Sequence, residues 1–210
     1  MPDLSSLLAF ALVSLGLVLT PGPNMIYLVS RSLAQGPRAG LISLGGVALG
    51  FVVYMLCAAF GITALLLAVP FAYDTLRWAG AAYLLYLAWQ AVRPGGRSPF
   101  AARALPHDGP GRLFAMGFVT NLLNPKIAVM YLSLLPQFID PARGSVLAQA
   151  LILGAIQIVV SVFVNALIAV GAGSVSAFLG GRPAWQVAQR WLMGTVLAGL
   201  ALRMAAESRR

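Results

Sequence analysis

Two short stretches set polar chemistry inside otherwise apolar runs: Thr20-Pro21-Gly22-Pro23-Asn24, and Asn121-Leu-Leu-Asn124-Pro125-Lys126. A proline has no N–H, and its ring obstructs the carbonyl four residues earlier. Pro21 and Pro23 therefore free the C=O groups of Leu17 and Leu19, and Pro125 frees that of Asn121. Backbone groups freed in an apolar medium must find a neighbouring helix, a water or a ligand. The half-helices that begin after these breaks present positive N-terminal ends, which suit a carboxylate. The freed carbonyls suit an ammonium group. Together the two sets match the zwitterionic head of an amino acid, and the alternative is a pair of plain proline kinks.

Lys126 is the only lysine in the chain and falls near the middle of an apolar run. A charge at that depth costs at least ~2.5 kcal/mol, so it belongs in a cavity or against a partner. No carboxylate shares an apolar run with it. Lys126 thus contacts a substrate carboxylate, drives gating, snorkels to the surface, or stays neutral by burial. Gln157, Ser161 and Asn165 recur every four residues and share one helical stripe. They line a pathway or hydrogen-bond a neighbouring helix. Tyr27 and Tyr131 place hydroxyls in a cavity or anchor at the membrane interface. Trp78, Tyr83, Tyr86, Trp89, Trp185 and Trp191 read as interfacial belt, and Gly45, Gly46, Gly50, Gly154 and Gly171 as helix-packing points.

The elements that must position these groups follow from composition. The chain has 210 residues, 60% of them hydrophobic and only 9% charged, with a mean hydropathy of +0.88. Soluble domains carry about a quarter charged residues. The expected class is an all-α membrane protein, because the apolar runs approach the ~20 residues of a spanning helix and do not alternate like barrel strands. Six spans are expected, at about 4–30, 41–65, 76–92, 112–136, 146–170 and 185–206. The breaker-rich stretch between the third and fourth is a linker.

Pro21 and Pro125 lie 104 residues apart, and Phe10/Phe114, Leu19/Leu123, Tyr27/Tyr131, Pro37/Pro141 and Gly50/Gly154 repeat that offset. Pro70/Pro183, Arg77/Arg190 and Trp78/Trp191 repeat at 113. The chain reads as a tandem duplication, with repeat one over 1–93, a linker over 94–111 and repeat two over 112–210. Three helices per copy is an odd number, so the second copy enters the membrane inverted, and paired interrupted helices 1 and 4 point to a transporter's binding site. Eight arginines (31, 38, 93, 97, 103, 112, 182, 190) fall on the linker side and five (77, 143, 203, 209, 210) on the other. The arginine bias places the linker in the cytoplasm and both termini outside.

Other chemistries find little support. Cys57 is the single cysteine and His107 the single histidine, so neither a disulfide nor a metal cluster is expected, and no cofactor. No span sets a histidine or carboxylate beside a serine, which argues against an enzyme. The net charge of +9 comes largely from arginines in and near the gaps between apolar runs; membrane lipids explain it better than nucleic acid. The N-terminus lacks a basic signal region, so the first helix is read as retained.

Leu19-Thr-Pro-Gly-Pro-Asn24, Gly36-Pro-Arg-Ala-Gly40, Arg77-Trp-Ala-Gly-Ala-Ala-Tyr-Leu84, Asn121-Leu-Leu-Asn-Pro-Lys126 and Leu135-Pro-Gln-Phe138 resemble the LysE family of exporters, and within it the homoserine and threonine efflux (RhtB) branch. The resemblance runs through nearly the whole chain in order. It implies a multi-pass bacterial inner-membrane protein exporting amino acids or close derivatives, with protons as the coupling ion. A homo-oligomer is compatible with it. The chain departs from the pattern in its fifth helix, where relatives often carry an acidic residue and this sequence has Gln157, Ser161 and Asn165. With no intramembrane carboxylate to balance a second cation, neutral amino acids such as homoserine, threonine or leucine are the expected substrates. The alternatives are a non-transporting membrane partner protein, or an exporter of another small solute or a metal ion.

Overall fold

The computed structural model describes residues 2–68 and 107–180, with isolated positions within 78–93 and 187–205. Every element among them is helical: α1 (Leu4–Leu19), α2 (Pro23–Gln35), α3 (Pro37–Ala68), α4 (Pro110–Leu122), α5 (Pro125–Val129) and α6 (Val146–Gly180). Apart from those isolated positions, the expected third and sixth spans, 76–92 and 185–206, and most of the linker lie outside the described residues.

Asp3 starts α1, its carboxylate accepting the Ser6 N–H at 2.7 Å and the Ser5 hydroxyl at 2.9 Å. The Ser6 amide is the largest cause holding this carboxyl well below the usual carboxylate range. Pro21 ends α1. Before it, the Thr20 N–H is shared between the Gly16 and Leu17 carbonyls at 3.2 Å, and the Thr20 hydroxyl donates back to Gly16 at 2.9 Å. Pro23 then opens α2 at a position where a missing N–H is harmless, and α1 and α2 meet at 54°.

The second break repeats this plan. Asn124 caps α5, its side-chain oxygen accepting the Lys126 N–H at 3.1 Å. The segments before and after it also meet at 54°. Past Val129 the helix widens into a π turn (Met130–Leu134) and tightens into a 3-10 turn (Leu135–Phe138). Pro136 supplies the cause, having no N–H for the regular ladder.

Pro37–Gly61 and Val146–Ala172 are long and apolar enough to cross a membrane, and each bent pair passes the same test as one broken span. α1 turns Leu4, Leu8, Leu12, Leu15 and Leu19 outward while burying Phe10, Val13, Ser14, Leu17 and Val18. α6 exposes Val159, Phe163, Leu167 and Val170 and buries Gln157, Ser161 and Asn165. An apolar outside around a polar inside stripe is the arrangement a lipid environment demands.

α3 packs most extensively on α4, and α6 packs on α1, α2 and α3. The broken segment of each half of the chain therefore lies on the long helix of the other. Gly46 and Gly117 let α3 and α4 touch backbone to backbone, since a Cβ at Gly46 would meet the Phe114 carbonyl and one at Gly117 the Ser43 carbonyl. Phe10, Leu28, Phe51, Tyr131, Leu135 and Leu153 belong to the continuous core beneath the two breaks.

Candidate functional site

Lys126 joins the two breaks. Its Nζ donates to the Thr20 carbonyl at 2.7 Å and the Leu17 carbonyl at 3.0 Å, and the residue is 7% exposed. The Leu17 carbonyl is one that Pro21 deprives of its helical donor, so the ammonium anticipated at the freed backbone is supplied by the protein itself. Lys126 points inward rather than snorkelling. It reaches these carbonyls past Gly22, where an added Cβ would lie 2.9 Å from Nζ and 3.2 Å from Cε.

At the second break the freed carbonyls are satisfied differently from the sequence expectation. The Asn121 C=O accepts the Asn124 N–H at 3.0 Å in a tighter turn. The Leu122 C=O, whose helical donor would be the Lys126 N–H, accepts the Tyr54 hydroxyl from α3 at 2.8 Å. The α5 amide is thereby capped by Asn124, leaving the Lys126 side chain to serve the first break.

Around this joint lies a small cavity of about 20 Å³, room for about one water. Polar side chains in its wall are Ser14, Asn24, Lys126, Gln157, Ser161 and Asn165; apolar ones include Leu17, Met25, Phe51 and Met130. Gln157 donates to Ser161 Oγ at 2.8 Å and accepts the Tyr131 hydroxyl at 2.5 Å, while Asn165 donates to the Ser161 carbonyl at 2.8 Å. The α6 stripe thus both lines the cavity and holds a neighbour. Tyr131 is fully buried and stacks on Tyr54, the rings 5.8 Å apart and 17° from parallel.

Among the described residues, Ser14 Oγ, Asn24 Oδ1, Asn165 Oδ1, Asn124 Nδ2 and both amide atoms of Asn121 are buried without a hydrogen-bond partner. Such groups are rare in folded proteins and ask for an explanation. Tyr27, which the 104-residue offset pairs with Tyr131, goes elsewhere: its hydroxyl donates to the Leu113 carbonyl at 2.8 Å and accepts from Ser43 at 3.1 Å, tying α2 to α4 and α3. It does not line the cavity. Thr20 contributes its carbonyl, Gly22 its missing side chain, and Pro21 and Pro23 the break. Pro125 opens α5.

The sequence reading missed two features. Ser14 enters the cavity wall from α1, seven residues before Pro21 on one helical face, which is the signal that could have marked it. Arg31, counted only among the loop arginines, and Asp108 form a buried ion pair at 2.7 Å, with side chains 7% and 3% exposed. Arg112 adds a contact to Asp108 at 3.1 Å, and Gln35 bonds the Asp108 backbone through both ends of its amide. A second, half-exposed group joins Arg143 to Asp3 at 2.5 Å and to Asp140 at 3.2 Å. Each group links a residue at the start of one half's broken helix to an arginine of the other half.

A family model described as LysE type translocator matches residues 15–208. A homoserine/homoserine lactone efflux protein of Salmonella typhimurium is 35% identical over 173 residues, covering 82% of this chain and 83% of the relative. An uncharacterized membrane protein of Vibrio cholerae is 32% identical, with 85% and 84% covered. A leucine efflux protein of Salmonella choleraesuis is 29% identical over 190 residues, with 90% and 89% covered. No solved structure matches.

Proposed function

This chain belongs to the LysE type translocator family, a family of membrane exporters rather than enzymes, and on that premise we propose that it exports neutral amino acids of the homoserine, threonine or leucine kind. The proposed setting is the bacterial inner membrane and the proposed driving force the proton motive force. The observation that carries the reading is Lys126, a buried cation bridging the two breaks beside a cavity in whose wall Ser14, Asn24 and Asn165 hold oxygens without a partner among the described residues. A non-transporting protein has no need to keep such groups buried at the cost of its stability.

The chemistry of the wall favours a neutral side chain on the substrate. Among the described residues it holds one cation, no carboxylate and an apolar surface from Leu17, Met25, Phe51 and Met130. An ammonium has three donors, and two of those on Lys126 are engaged by carbonyls, which leaves one for a substrate carboxylate. A second cation on the substrate would meet repulsion with no acidic partner.

Room for about one water is too little for an amino acid, so substrate entry requires the helices to part. In the proposed mechanism the two halves are inverted copies that rock against each other around the joint. The Arg31–Asp108 and Arg143–Asp3 groups, each linking the halves, serve as closures at its two ends. Entry of a carboxylate gives Lys126 an alternative to the Leu17 and Thr20 carbonyls and so loosens the joint between the breaks.

Inside-out membrane vesicles with an imposed proton gradient test this function. Uptake of labelled homoserine, threonine or leucine that depends on the protein and collapses with an uncoupler is the expected result. Gradient-independent uptake would remove the proton coupling. Absence of uptake across a broad panel, by protein shown to be folded, would favour a non-transporting membrane partner.

A further inference from the structure

The Leu17 and Thr20 carbonyls at the first break are the obvious seat for a substrate's ammonium group, yet Lys126 already donates to both, at 3.0 and 2.7 Å. A second ammonium placed there would face the first across a few ångströms of low-dielectric interior, where like charges repel strongly. The substrate's amine must be received elsewhere in the same cavity.

Three oxygens in its wall lack a partner among the described residues: Ser14 Oγ from α1, Asn24 Oδ1 from α2 and Asn165 Oδ1 from α6. The residues are 1%, 5% and 2% exposed, so water does not satisfy them in bulk. An amide carbonyl and a hydroxyl are acceptors, and an alkylammonium carries three N–H donors. The three come from three helices, so a ligand that bonds all of them draws together the two pieces of the first broken helix and the long helix of the other half. We infer that Ser14, Asn24 and Asn165 form the subsite for the substrate's α-ammonium group, set apart from Lys126, which faces the carboxylate. This assignment rests on the amino-acid reading above and deepens it. It also makes the site bipolar, with a cation for the anionic end of the substrate and neutral acceptors for the cationic end, without a carboxylate.

The arrangement carries a signature that packing alone lacks. A buried polar atom without a partner weakens the fold, and replacing it with an apolar group of similar shape is near neutral or stabilising. Ser14→Ala should therefore keep or raise the melting temperature of the purified protein while impairing transport of molecules that bear an amine; Asn165→Leu, which also gives up the Nδ2 bond to the Ser161 carbonyl, should impair the same transport.

The test is exchange of labelled L-homoserine and L-leucine in proteoliposomes, each inhibited by its unlabelled self and by its deaminated counterpart, 4-hydroxybutanoate or 4-methylpentanoate. On the unaltered protein the amino acids should inhibit far better than the counterparts. In Ser14→Ala, Asn165→Leu and the double variant, apparent affinity for the amino acid should fall about tenfold to a hundredfold, as loss of hydrogen bonds to a charged group does. Affinity for the deaminated acid should be unchanged. Equal weakening toward both ligands, or a lowered melting temperature in Ser14→Ala, would return these residues to a packing role and overturn the assignment. Failure of the unaltered, folded protein to exchange either amino acid is a different outcome, which removes the amino-acid reading and the subsite with it.

Discussion

At the scale of single residues, Lys126 carries the most weight, and its substitution separates the roles open to it. If it meets the substrate carboxylate, Lys126→Met should cut amino-acid exchange about tenfold or more, with arginine restoring part. Exchange that survives while the response to a pH gradient disappears would make Lys126 the coupling group instead. Gly22→Ala should leave the protein folded, because the atoms its methyl group would crowd are the flexible end of Lys126, yet transport should drop severalfold as Nζ is pushed off the break. Asp108→Asn takes the carboxylate from a buried Arg31 and should cost about 3–5 kcal/mol in thermal unfolding. Arg112→Gln, at a contact whose arginine is 72% exposed, should cost less than about 1 kcal/mol. Lys126 was legible in the sequence because a lone lysine in an apolar run is costly wherever it points. Its partners were not, since the Leu17 and Thr20 carbonyls are more than a hundred residues away along the chain. Ser14 was hidden because one serine in an apolar helix resembles any other. Arg31 and Asp108 were hidden because a charge near a helix end reads as solvated until a fold buries it.

The two broken helices are the elements on which the account turns. Both breaks were readable from proline placement, and both bend by 54°. Which carbonyls stay free was not readable. The Asn121 carbonyl is recaptured by Asn124 through a tighter turn, whereas the Leu17 carbonyl depends partly on a side chain from the other half. The π turn at Met130–Leu134 also escaped the sequence reading, because periodicity over five residues cannot distinguish it from α-helix. Pro21→Ala and Pro125→Ala should each restore a backbone bond and straighten the helix. Transport should fall in both while membrane abundance survives. The Pro21 variant should fall further, because a donor supplied at residue 21 competes with Lys126 for the Leu17 carbonyl. Normal transport by both variants would reduce the breaks to packing kinks.

For the whole molecule, the apolar exterior and buried polar stripe were written in the composition and in the four-residue spacing of Gln157, Ser161 and Asn165. The crosswise packing, α4 on α3 and α6 on α1 and α2, was not readable from the 104-residue offset, which pairs positions without saying which elements touch. The proposed inverted topology, with the linker inside, makes a direct prediction. A cysteine at Ser98, in a Cys57→Ala background, should resist membrane-impermeant thiol reagents in intact cells and react once the membrane is opened; labelling of intact cells would reverse the orientation. The central claim is that this chain alone is a carrier for neutral amino acids, with its site where the two breaks meet. Counterflow by the purified protein in proteoliposomes tests it most directly. Liposomes loaded with unlabelled homoserine or leucine should transiently concentrate the labelled amino acid from outside, with no gradient imposed, and Lys126→Met should abolish the overshoot. Folded, reconstituted protein that gives no overshoot with any neutral amino acid would contradict the account.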